Sequence, residues 1–372
     1  MKVIQFLPNL ESGGVERGTL EIAKALVDAG HESHVVSNGG RLVAQLEREG
    51  SEHHAWPLHR KSPLTLLQIT RLRAWLRSMR PDIVHVRSRM PAWIVWLAWR
   101  KMGRAHRPKF LTTLHGLHSV STYSSIMGRG ERVIAVSNTA KQYLLDNYRN
   151  IDSDRIQVIH RGTNPTAFPR GYQPNSTWLQ RWFNDYPQLA DKRLICLPGR
   201  LTRLKGHDYL IRLIKQLKAR GYDDVSGVIV GGADGSHEGY IQGLHTQIER
   251  LGVGNDIVFT GYRDDMRDIY AISSMVLAVS NKPESFGRTV LEPLSMGIPT
   301  LGFDIGGVGE VLATLYPDGR LPMQDDAALL QKATRILDGE TQEIKENTSF
   351  SLDNMCQQTL GLYTELLVDG SP

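Results

Sequence analysis

The densest group of residues suited to chemistry is the segment P-E-S-F-G-R-T-V-L-E, from Pro283 to Glu292. The apolar run 275–279 before it predicts a strand, and the residues after it predict a helix. A helix that begins just after a strand points its first backbone N–H groups at a ligand, where they favour an anion such as a diphosphate. Gly287 permits close backbone approach, and the carboxylates of Glu284 and Glu292 accept hydrogen bonds from hydroxyls. In isolation, two such glutamates are more often a helix-start acid and a solvated helical face.

A second group, G-R-L-T-R-L-K-G, follows the predicted strand 194–197 and contains Gly199, Arg200 and Lys205. Cations beside glycines at a strand end suit a leaving diphosphate, because negative charge grows on it as its bond breaks. Surface cations near helix starts are common, so this second group indicates a ligand site only in combination with the first group.

Glycines also follow the first predicted strand, residues 2–7, where Gly13 and Gly14 precede a predicted helix. Together with Gly18 they do not form G-x-G-x-x-G, and no acid is clearly placed at the end of the second strand. The sequence therefore argues against hydride transfer with a dinucleotide.

Two further strand ends in the first half carry candidate side chains. His115 follows the run 110–113, where its imidazole is placed to contact a sugar near the reacting carbon. Arg87 and Arg89 follow the apolar run 83–86, where they are placed to hold an acceptor phosphate or carboxylate. The alternatives are a structural histidine and two solvated loop arginines.

Strand and helix patterns alternate along the chain in two successive cycles. This alternation predicts an α/β fold with two doubly wound, Rossmann-like domains facing a central cleft. We place an N-terminal domain at 1–165 and a linker region at 166–190. A C-terminal domain follows at 191–350, and a C-terminal helix at 351–372 is expected to pack back on the N-terminal domain.

Charge is distributed unevenly along the chain. Residues 1–165 carry 24 Lys and Arg against 13 Asp and Glu, whereas the remainder carries 20 against 26. Between Arg60 and Lys109, thirteen basic residues accompany a single acid, Asp82. The same basic segment contains four tryptophans, Trp75, Trp93, Trp96 and Trp99. This composition favours an anionic partner or a membrane surface, and nucleic acid is disfavoured because no signature of a nucleic-acid-binding fold accompanies the charge.

No segment indicates export or membrane spanning. The apolar run 3–10 is short and lacks a cleavage pattern, and the stretch 91–98 is well below the roughly 20 residues that span a bilayer. Cys196 and Cys356 make neither a disulfide framework nor a zinc site. We therefore expect a cytoplasmic protein, peripheral on the inner membrane if its acceptor is a lipid.

Together these motifs resemble those of the family-4 retaining glycosyltransferases, which have the GT-B fold. The segment from Glu284 to Pro299 resembles the family signature E-x-F-G-x-x-x-x-E-A-x-A-x-G-x-P. Three further motifs match in order, at 13–14, 158–168 and 199–206. The resemblance extends over nearly the whole chain.

The resemblance implies that Glu284 contacts the donor sugar and Glu292 the ribose. It assigns Arg200 and Lys205 to the diphosphate. It also implies that 1–165 is the acceptor-side domain and 191–350 the nucleotide-sugar-binding domain. The residues expected to bind the donor are Gly14, Arg200, Lys205, Phe286, Gly287, Thr289, Val290 and Glu292. The residues expected to act in catalysis are His115, Arg200, Lys205 and Glu284. Two departures stand out, because Thr163-Asn164 replaces the usual Val-Asp, and Pro293 replaces an alanine in the first turns of the helix.

The resemblance also implies transfer with retention of anomeric configuration, through front-face displacement. Protein cations and a helix N-terminus would replace a metal, and the sequence has no convincing D-x-D motif to bind one. We expect no cofactor, only a nucleotide diphosphate sugar as co-substrate, with a UDP-sugar favoured over a GDP-sugar.

The run H-V-R-S-R-M-P-A-W resembles a subgroup that builds lipopolysaccharide core, which implies an anionic glycolipid or oligosaccharide acceptor. Two alternatives stay open: a soluble enzyme that makes a small glycoside, and a GT-B relative that performs epimerisation or phosphorolysis.

Overall fold

The structure is a computed structural model of the chain. It describes residues 1–11, 13–58, 63–149, 151–232 and 237–368, with backbone only for residues 63–67. The strands are β1 (Lys2–Phe6), β2 (Glu32–Ser37), β3 (Glu52–Ala55), β4 (Ile83–Val86), β5 (Lys109–Leu114), β6 (Arg132–Ala135), β7 (Ile156–Val158), β8 (Arg193–Pro198), β9 (Val225–Val230), β10 (Ile257–Phe259), β11 (Ser273–Ala278), β12 (Thr300–Phe303) and β13 (Arg320–Leu321). The helices are α1 (Gly14–Asp28), α2 (Val43–Arg48), α3 (Pro63–Met79), α4 (Arg89–Trp99), α5 (Asn138–Asn147), α6 (Ser176–Asp185), α7 (His207–Ala219), α8 (Glu238–Leu251), α9 (Met266–Ala271), α10 (Arg288–Met296), α11 (Gly306–Leu315), α12 (Asp326–Leu337) and α13 (Leu352–Val368).

The chain divides into two compact units, each built on one parallel sheet. Unit 1 comprises Met1–Gly162 and Leu352–Pro372, and unit 2 comprises Thr163–Ser351. The sheet of unit 1 has the strand order β3-β2-β1-β4-β5-β6-β7, and the sheet of unit 2 has the order β10-β9-β8-β11-β12-β13. Both orders reverse at an internal pair of strands, as in doubly wound sheets. The expectation of two Rossmann-like domains is confirmed.

Unit 1 includes the C-terminal helix. Leu362 and Tyr363 of α13 belong to a buried cluster with Val3 of β1. His85 on β4 lies between two hydroxyls, with Nδ1 2.7 Å from the Tyr363 oxygen and Nε2 2.6 Å from Thr113 Oγ1. These buried hydrogen bonds fix α13 against the sheet, because leaving such groups unsatisfied is unfavourable.

Residues 166–190, expected to be a linker region, lie within unit 2. Trp182 of α6 is 1% exposed and packs in a buried cluster with Leu189 and Val230. The Trp178 indole donates to Asp265 Oδ2 at 2.7 Å. Prolines and glycines give this segment the composition of a linker, but its aromatic side chains are part of the unit 2 core.

The apolar face of α3, a helix of the basic segment, packs in the interior of unit 1. Leu72 and Leu76 of α3 are fully buried, as expected for the apolar face of a helix that packs on a sheet. Arg60 and Lys61, at the start of the basic segment, lie outside the described residues. Within the described ranges, no helix is both long and apolar enough to cross a bilayer.

Candidate functional site

Two loops of unit 2 follow the neighbouring strands at which the strand order reverses. The β8 loop (residues 199–206) follows β8, and the β11 loop (residues 279–287) follows β11. Ligands of doubly wound sheets bind beyond the strand ends at this reversal. The structure therefore brings together the two motif groups of the C-terminal half, in which Lys205 and Glu284 are 79 positions apart in sequence.

Backbone contacts hold these two loops together. The Asn281 N–H donates to the Leu204 carbonyl at 2.7 Å, and the Asn281 side-chain amide donates to the Arg203 carbonyl at 2.9 Å. Gly206 has a φ of 68°, and a Cβ at this position would lie 2.2 Å from the Val279 carbonyl oxygen. Glycine is therefore required for the two loops to approach this closely.

An ion pair joins the two loops at their centre. Lys205 Nζ lies 2.7 Å from Glu284 Oε1, and the two side chains are 17% and 19% exposed. The Ser280 hydroxyl donates to the same carboxylate oxygen. Arg200, on the β8 loop, is exposed and close enough to act on Glu284 electrostatically. The Lys205 ammonium and the Glu284 carboxylate are therefore in direct contact, and both are only partly exposed to solvent.

Glu284 is ionised in this environment. Burial alone would raise its pKa, but the Lys205 ammonium, the Ser280 hydroxyl and the Arg200 charge together hold the pKa of Glu284 below its ordinary value. The carboxylate is therefore a hydrogen-bond acceptor at neutral pH. This protonation state suits contact with sugar hydroxyls and does not suit proton donation to a leaving group.

The start of α10 differs in part from the expectation. Gly287 caps the helix with a φ of 110°, and the Val290 N–H donates to the Gly287 carbonyl at 3.0 Å. This hydrogen bond argues against the Val290 amide as a phosphate ligand, because that amide is already used in the first turn. The Phe286 side chain is buried against Phe350, so Phe286 can contribute to a ligand site only through its backbone. Thr289 is partly exposed at this end of the helix.

Glu292 is 5% exposed, so it does not lie on a solvated face of the helix. The Tyr270 hydroxyl donates to Glu292 Oε2 at 3.3 Å, and Arg288 Nε lies 3.5 Å from Glu292 Oε1. These partners fix the orientation of the carboxylate. Pro293 lies inside α10, beyond its first turn, where it removes one backbone donor from the helix.

Three neighbouring residues escaped the sequence prediction. Besides Ser280, Gly306 and Gly307 at the start of α11 support the β11 loop. The Gly307 N–H donates to the Glu284 carbonyl at 2.8 Å, and a Cβ on Gly307 would lie 2.3 Å from Phe286 Cα. The cluster G-G-V-G after the run 300–303 is a sequence signal for this close approach, since it places glycines at a strand-to-helix turn.

His207, the first residue of α7, provides a pH-dependent contribution to the stability of unit 2. It is fully buried, and burial lowers its pKa from 6.5 to about 4. The unfolded chain therefore binds a proton near pH 6.5, whereas the folded protein does so only near pH 4. Stability from this group is complete above pH 6.5 and is lost as the pH falls through this window, by roughly 3 kcal/mol in all.

We expect His207→Gln to reduce the acid sensitivity of unit 2, because glutamine can bond the Tyr240 hydroxyl, 3.0 Å from His207 Nδ1, without titrating. Denaturant titrations at pH 7 and pH 4.5 measure the difference. Equal losses of unfolding free energy in the variant and the wild type would contradict this role.

In unit 1, His115 follows β5 and contacts Arg161. Arg161 Nη2 lies 2.5 Å from His115 Nδ1. A guanidinium can only donate, so Nδ1 accepts and Nε2 carries the proton. Burial and the charges of Arg161 and Arg87 hold the pKa of His115 well below its usual range. His115 is therefore neutral at physiological pH, with an N–H group at Nε2.

Arg161 is a site residue that the sequence prediction missed. A Cβ at Gly18 would lie 1.7 Å from Arg161 Nη1, so the guanidinium rests directly on α1 where this helix has no side chain. The signal in the sequence was the third glycine of the first-domain group. Gly14, the predicted donor contact in this region, is the exposed first residue of α1.

The two arginines predicted to bind an acceptor behave differently. Arg87 is 4% exposed, and its Nε donates to Gln5 Oε1 at 2.8 Å. Arg87 directly follows β4, as expected, and its backbone N–H donates to the Phe6 carbonyl at 2.9 Å, but its buried side chain is not that of a solvated loop arginine. Arg89 opens α4, donates to Ser124 Oγ at 3.0 Å, and lies over the Tyr123 ring. Arg89 is partly exposed and stays a candidate.

Two family models match most of the chain. A model described as Glycosyltransferase Family 4 matches residues 12–167. A model described as Glycosyl transferases group 1 matches residues 180–349. The first region contains His115, and the second contains Lys205 and Glu284.

Solved structures show the same architecture. A glycosyltransferase from Rickettsia africae ESF-5 is 31% identical, covers 100% of this chain and 99% of its own, and superposes with a TM-score of 0.85. Anabaena Alr3699/HepE, solved with UDP-glucose, is 21% identical over 98% of this chain and 100% of its own, with a TM-score of 0.81. WaaG, a glycosyltransferase involved in lipopolysaccharide biosynthesis, is 14% identical over 99% of this chain and 98% of its own, with a TM-score of 0.69.

Sequence relatives also include a glycosyltransferase. The chain is 27% identical to an uncharacterized glycosyltransferase of Methanocaldococcus jannaschii over 67% of its own length and 63% of that protein. It is 22% identical to the N-acetyl-alpha-D-glucosaminyl L-malate synthase of Bacillus anthracis, over 82% of its own length and 79% of that enzyme. The two family models and the full-length similarity to the Rickettsia protein show that this chain belongs to the family-4 glycosyltransferases of the GT-B fold.

Proposed function

We propose that this protein is a retaining hexosyltransferase that moves a sugar from a nucleotide diphosphate sugar to an anionic glycolipid or oligosaccharide of the cell envelope. The observation that carries the proposal is the Lys205–Glu284 pair, at 2.7 Å, beside Arg200 at the reversal of the unit 2 sheet. A cation for a diphosphate and an ionised carboxylate for sugar hydroxyls are the two partners that such a donor needs. A UDP-sugar is favoured, and the shared fold of the UDP-glucose-bound Anabaena protein supports this choice.

Each charged group has a distinct part in the proposed reaction. The acceptor hydroxyl attacks the anomeric carbon on the face that the diphosphate leaves, and its proton passes to a leaving phosphate oxygen. Arg200 and Lys205 stabilise the charge that develops on that diphosphate. The Glu284 carboxylate orients the sugar by accepting hydrogen bonds from the sugar hydroxyls. The neutral His115 donates a hydrogen bond from Nε2 to a sugar oxygen.

Because protein groups supply the charge stabilisation, we propose that transfer requires no metal. Turnover measured with excess EDTA should equal turnover without it. Loss of activity that Mg²⁺ or Mn²⁺ restores would overturn this part of the proposal.

A screen of nucleotide diphosphates by thermal unfolding tests the donor class. Binding to the folded state alone raises stability by RT ln(1 + [L]/Kd), so a true ligand shifts the melting temperature and the shift grows with concentration. We expect UDP to give the largest shift. Equal responses to UDP, GDP and inorganic pyrophosphate would contradict recognition of a nucleoside.

The basic segment of unit 1 supports an anionic acceptor at a membrane surface. Each Lys or Arg near an anionic leaflet contributes about 1 kcal/mol, within a Debye length. We therefore expect capture by phosphatidylglycerol vesicles at low salt, release at high salt, and little capture by neutral vesicles. Charge reversal at Arg71, Arg73 and Arg77 of α3 should weaken this binding in co-sedimentation.

A matched control reverses the exposed Lys215, Arg220 and Arg250 of unit 2, which changes the net charge equally. Loss of vesicle binding in both variants would show a nonspecific charge effect. Binding that does not depend on lipid charge would contradict the membrane proposal.

A second candidate is transfer to a small water-soluble acid. Three tryptophans of the basic segment are engaged within unit 1: the Trp93 and Trp99 indoles donate to backbone carbonyls at 2.9 and 2.7 Å, and Trp75 packs on Trp56. These side chains are therefore less suited to anchor in a bilayer than the tryptophan content of the basic segment suggested. The similarity to the N-acetyl-alpha-D-glucosaminyl L-malate synthase of Bacillus anthracis favours this candidate, and transfer to malate in place of a glycolipid would establish it.

A further inference from the structure

Three potential metal ligands lie on one face of the first sheet, at its β2–β3 edge. His34 on β2 is the register partner of Glu52 on β3, and His54 follows Glu52 by two residues. Side chains two residues apart on a strand point to the same face, so all three groups project together. This cluster lies in unit 1, whereas Lys205 and Glu284 lie in unit 2.

The distances between the ligand atoms fit a metal site. His34 Nδ1 lies 3.1 Å from His54 Nε2 and 3.3 Å from Glu52 Oε2, and His54 Nε2 lies 3.6 Å from Glu52 Oε1. A tetrahedral zinc site with bonds of 2.0–2.1 Å places its ligand atoms roughly 3.3 Å apart. The two distances to Glu52 involve different carboxylate oxygens, and one ligand atom from each of the three residues lies within 4.8 Å of the other two, so a single ion can be reached by all three groups.

Burial of the cluster prepares the imidazoles for a metal. The His34 and His54 side chains are 9% and 16% exposed, and burial lowers the pKa of both, so they are neutral as ligands must be. At 3.1 Å, the facing nitrogens Nδ1 and Nε2 can share only one proton. A bound cation would take the place of that proton, which moves to the other nitrogen of the same neutral ring.

The surroundings of the cluster offer an entry path and a second layer of contacts. The Glu52 side chain is 64% exposed, which leaves one side open to solvent. Glu32 Oε2 lies 3.9 Å from His34 Nε2, where it can orient a metal-bound imidazole, and it pairs with Lys2 at 2.9 Å. The Trp75 ring contacts the His54 ring edge-on, with 4.9 Å between centroids.

We propose that His34, Glu52 and His54 bind a divalent transition metal ion, with Zn²⁺ as the preferred ion and a fourth position open to solvent. Two nitrogens and one carboxylate oxygen form a donor set typical of zinc. The ion joins β3, a four-residue strand at the edge of the sheet, to β2. Its role is to stabilise this edge, and it takes no part in glycosyl transfer.

Calorimetric titration of the full-length, chelator-treated protein with ZnCl₂ tests this site. We expect one saturable site per chain. Glu52→Gln and His54→Ala should each weaken zinc binding at least tenfold. Ni²⁺ or Cu²⁺ should quench part of the tryptophan fluorescence, and His54→Ala should abolish that change.

The matched control is His53→Ala. His53 lies next to His54 but faces away from the cluster, with its Nε2 2.8 Å from Ser37 Oγ. This variant should bind zinc as the wild type does. Because Glu52 is exposed, Glu52→Gln is expected to fold normally, and its circular dichroism and melting curve verify this. The absence of saturable uptake in the wild type, or equal uptake by wild type and Glu52→Gln, would overturn the proposal.

Discussion

Replacing Glu284 by alanine should lower turnover about 100-fold or more while leaving the affinity for bare UDP unchanged or higher. The carboxylate is ionised and lies 2.7 Å from Lys205, so in the ligand-free protein it competes with a diphosphate for that ammonium. Removing it frees the cation for the nucleotide but deprives the sugar of its acceptor group. Steady-state kinetics and calorimetry with UDP measure the two effects separately.

Asp256→Ala is the matched control for this substitution. Asp256 pairs with Lys218 at 2.6 Å in the same unit, and the two side chains are 23% and 16% exposed, close to the values of the Glu284–Lys205 pair. The control breaks a comparable ion pair away from the loops and should leave turnover unchanged. Equal losses in both variants, or a Glu284→Ala enzyme that turns over normally, would refute the sugar-binding role.

His115→Ala should reduce kcat/KM by about 100-fold, because it removes the N–H group that the Arg161 contact fixes at Nε2. His115→Asn, which can still donate a hydrogen bond, should recover part of this loss. Since the pKa of His115 is held well below its ordinary value, its protonation should not produce an acidic limb near pH 6.5 in the kcat/KM profile.

The exposed His245 of α8 provides the control, and His245→Ala should have normal kinetics. A wild-type limb at pH 6.5 that disappears in His115→Asn would show that His115 titrates there and acts as a base. That result would contradict the tautomer and the neutral state derived from the Arg161 contact.

The strands that position the site could be predicted because they are continuous apolar runs. The run 300–303 coincides with β12, and the run 194–197 falls within β8. Parallel strands buried on both faces require such runs, so the reading of two doubly wound domains followed from them. The motif groups at the ends of β8 and β11 were likewise visible, because glycines and charged residues interrupt the apolar pattern there.

Other features depend on contacts that no local pattern encodes. β3 has the sequence E-H-H-A, which lacks an apolar run because it lies at the sheet edge, and so it was not predicted. Arg87 follows β4 as predicted, but the sequence did not show that its side chain is buried and donates to Gln5. Arg161 acquires its position through Gly18 on another element. The pairing of Lys205 with Glu284 required the tertiary approach of two loops.

The most direct test of the central claim is a calorimetric titration of UDP into wild type, Lys205→Ala and Glu292→Ala. We predict that each substitution weakens binding by roughly 1 to 3 kcal/mol without unfolding unit 2, because each removes a charge-assisted partner of the nucleotide. Lys218→Ala, which removes a lysine of similar exposure outside the loops, should bind UDP as the wild type does. Unchanged UDP affinity in both Lys205→Ala and Glu292→Ala would contradict a nucleotide-sugar site at the ends of β8 and β11.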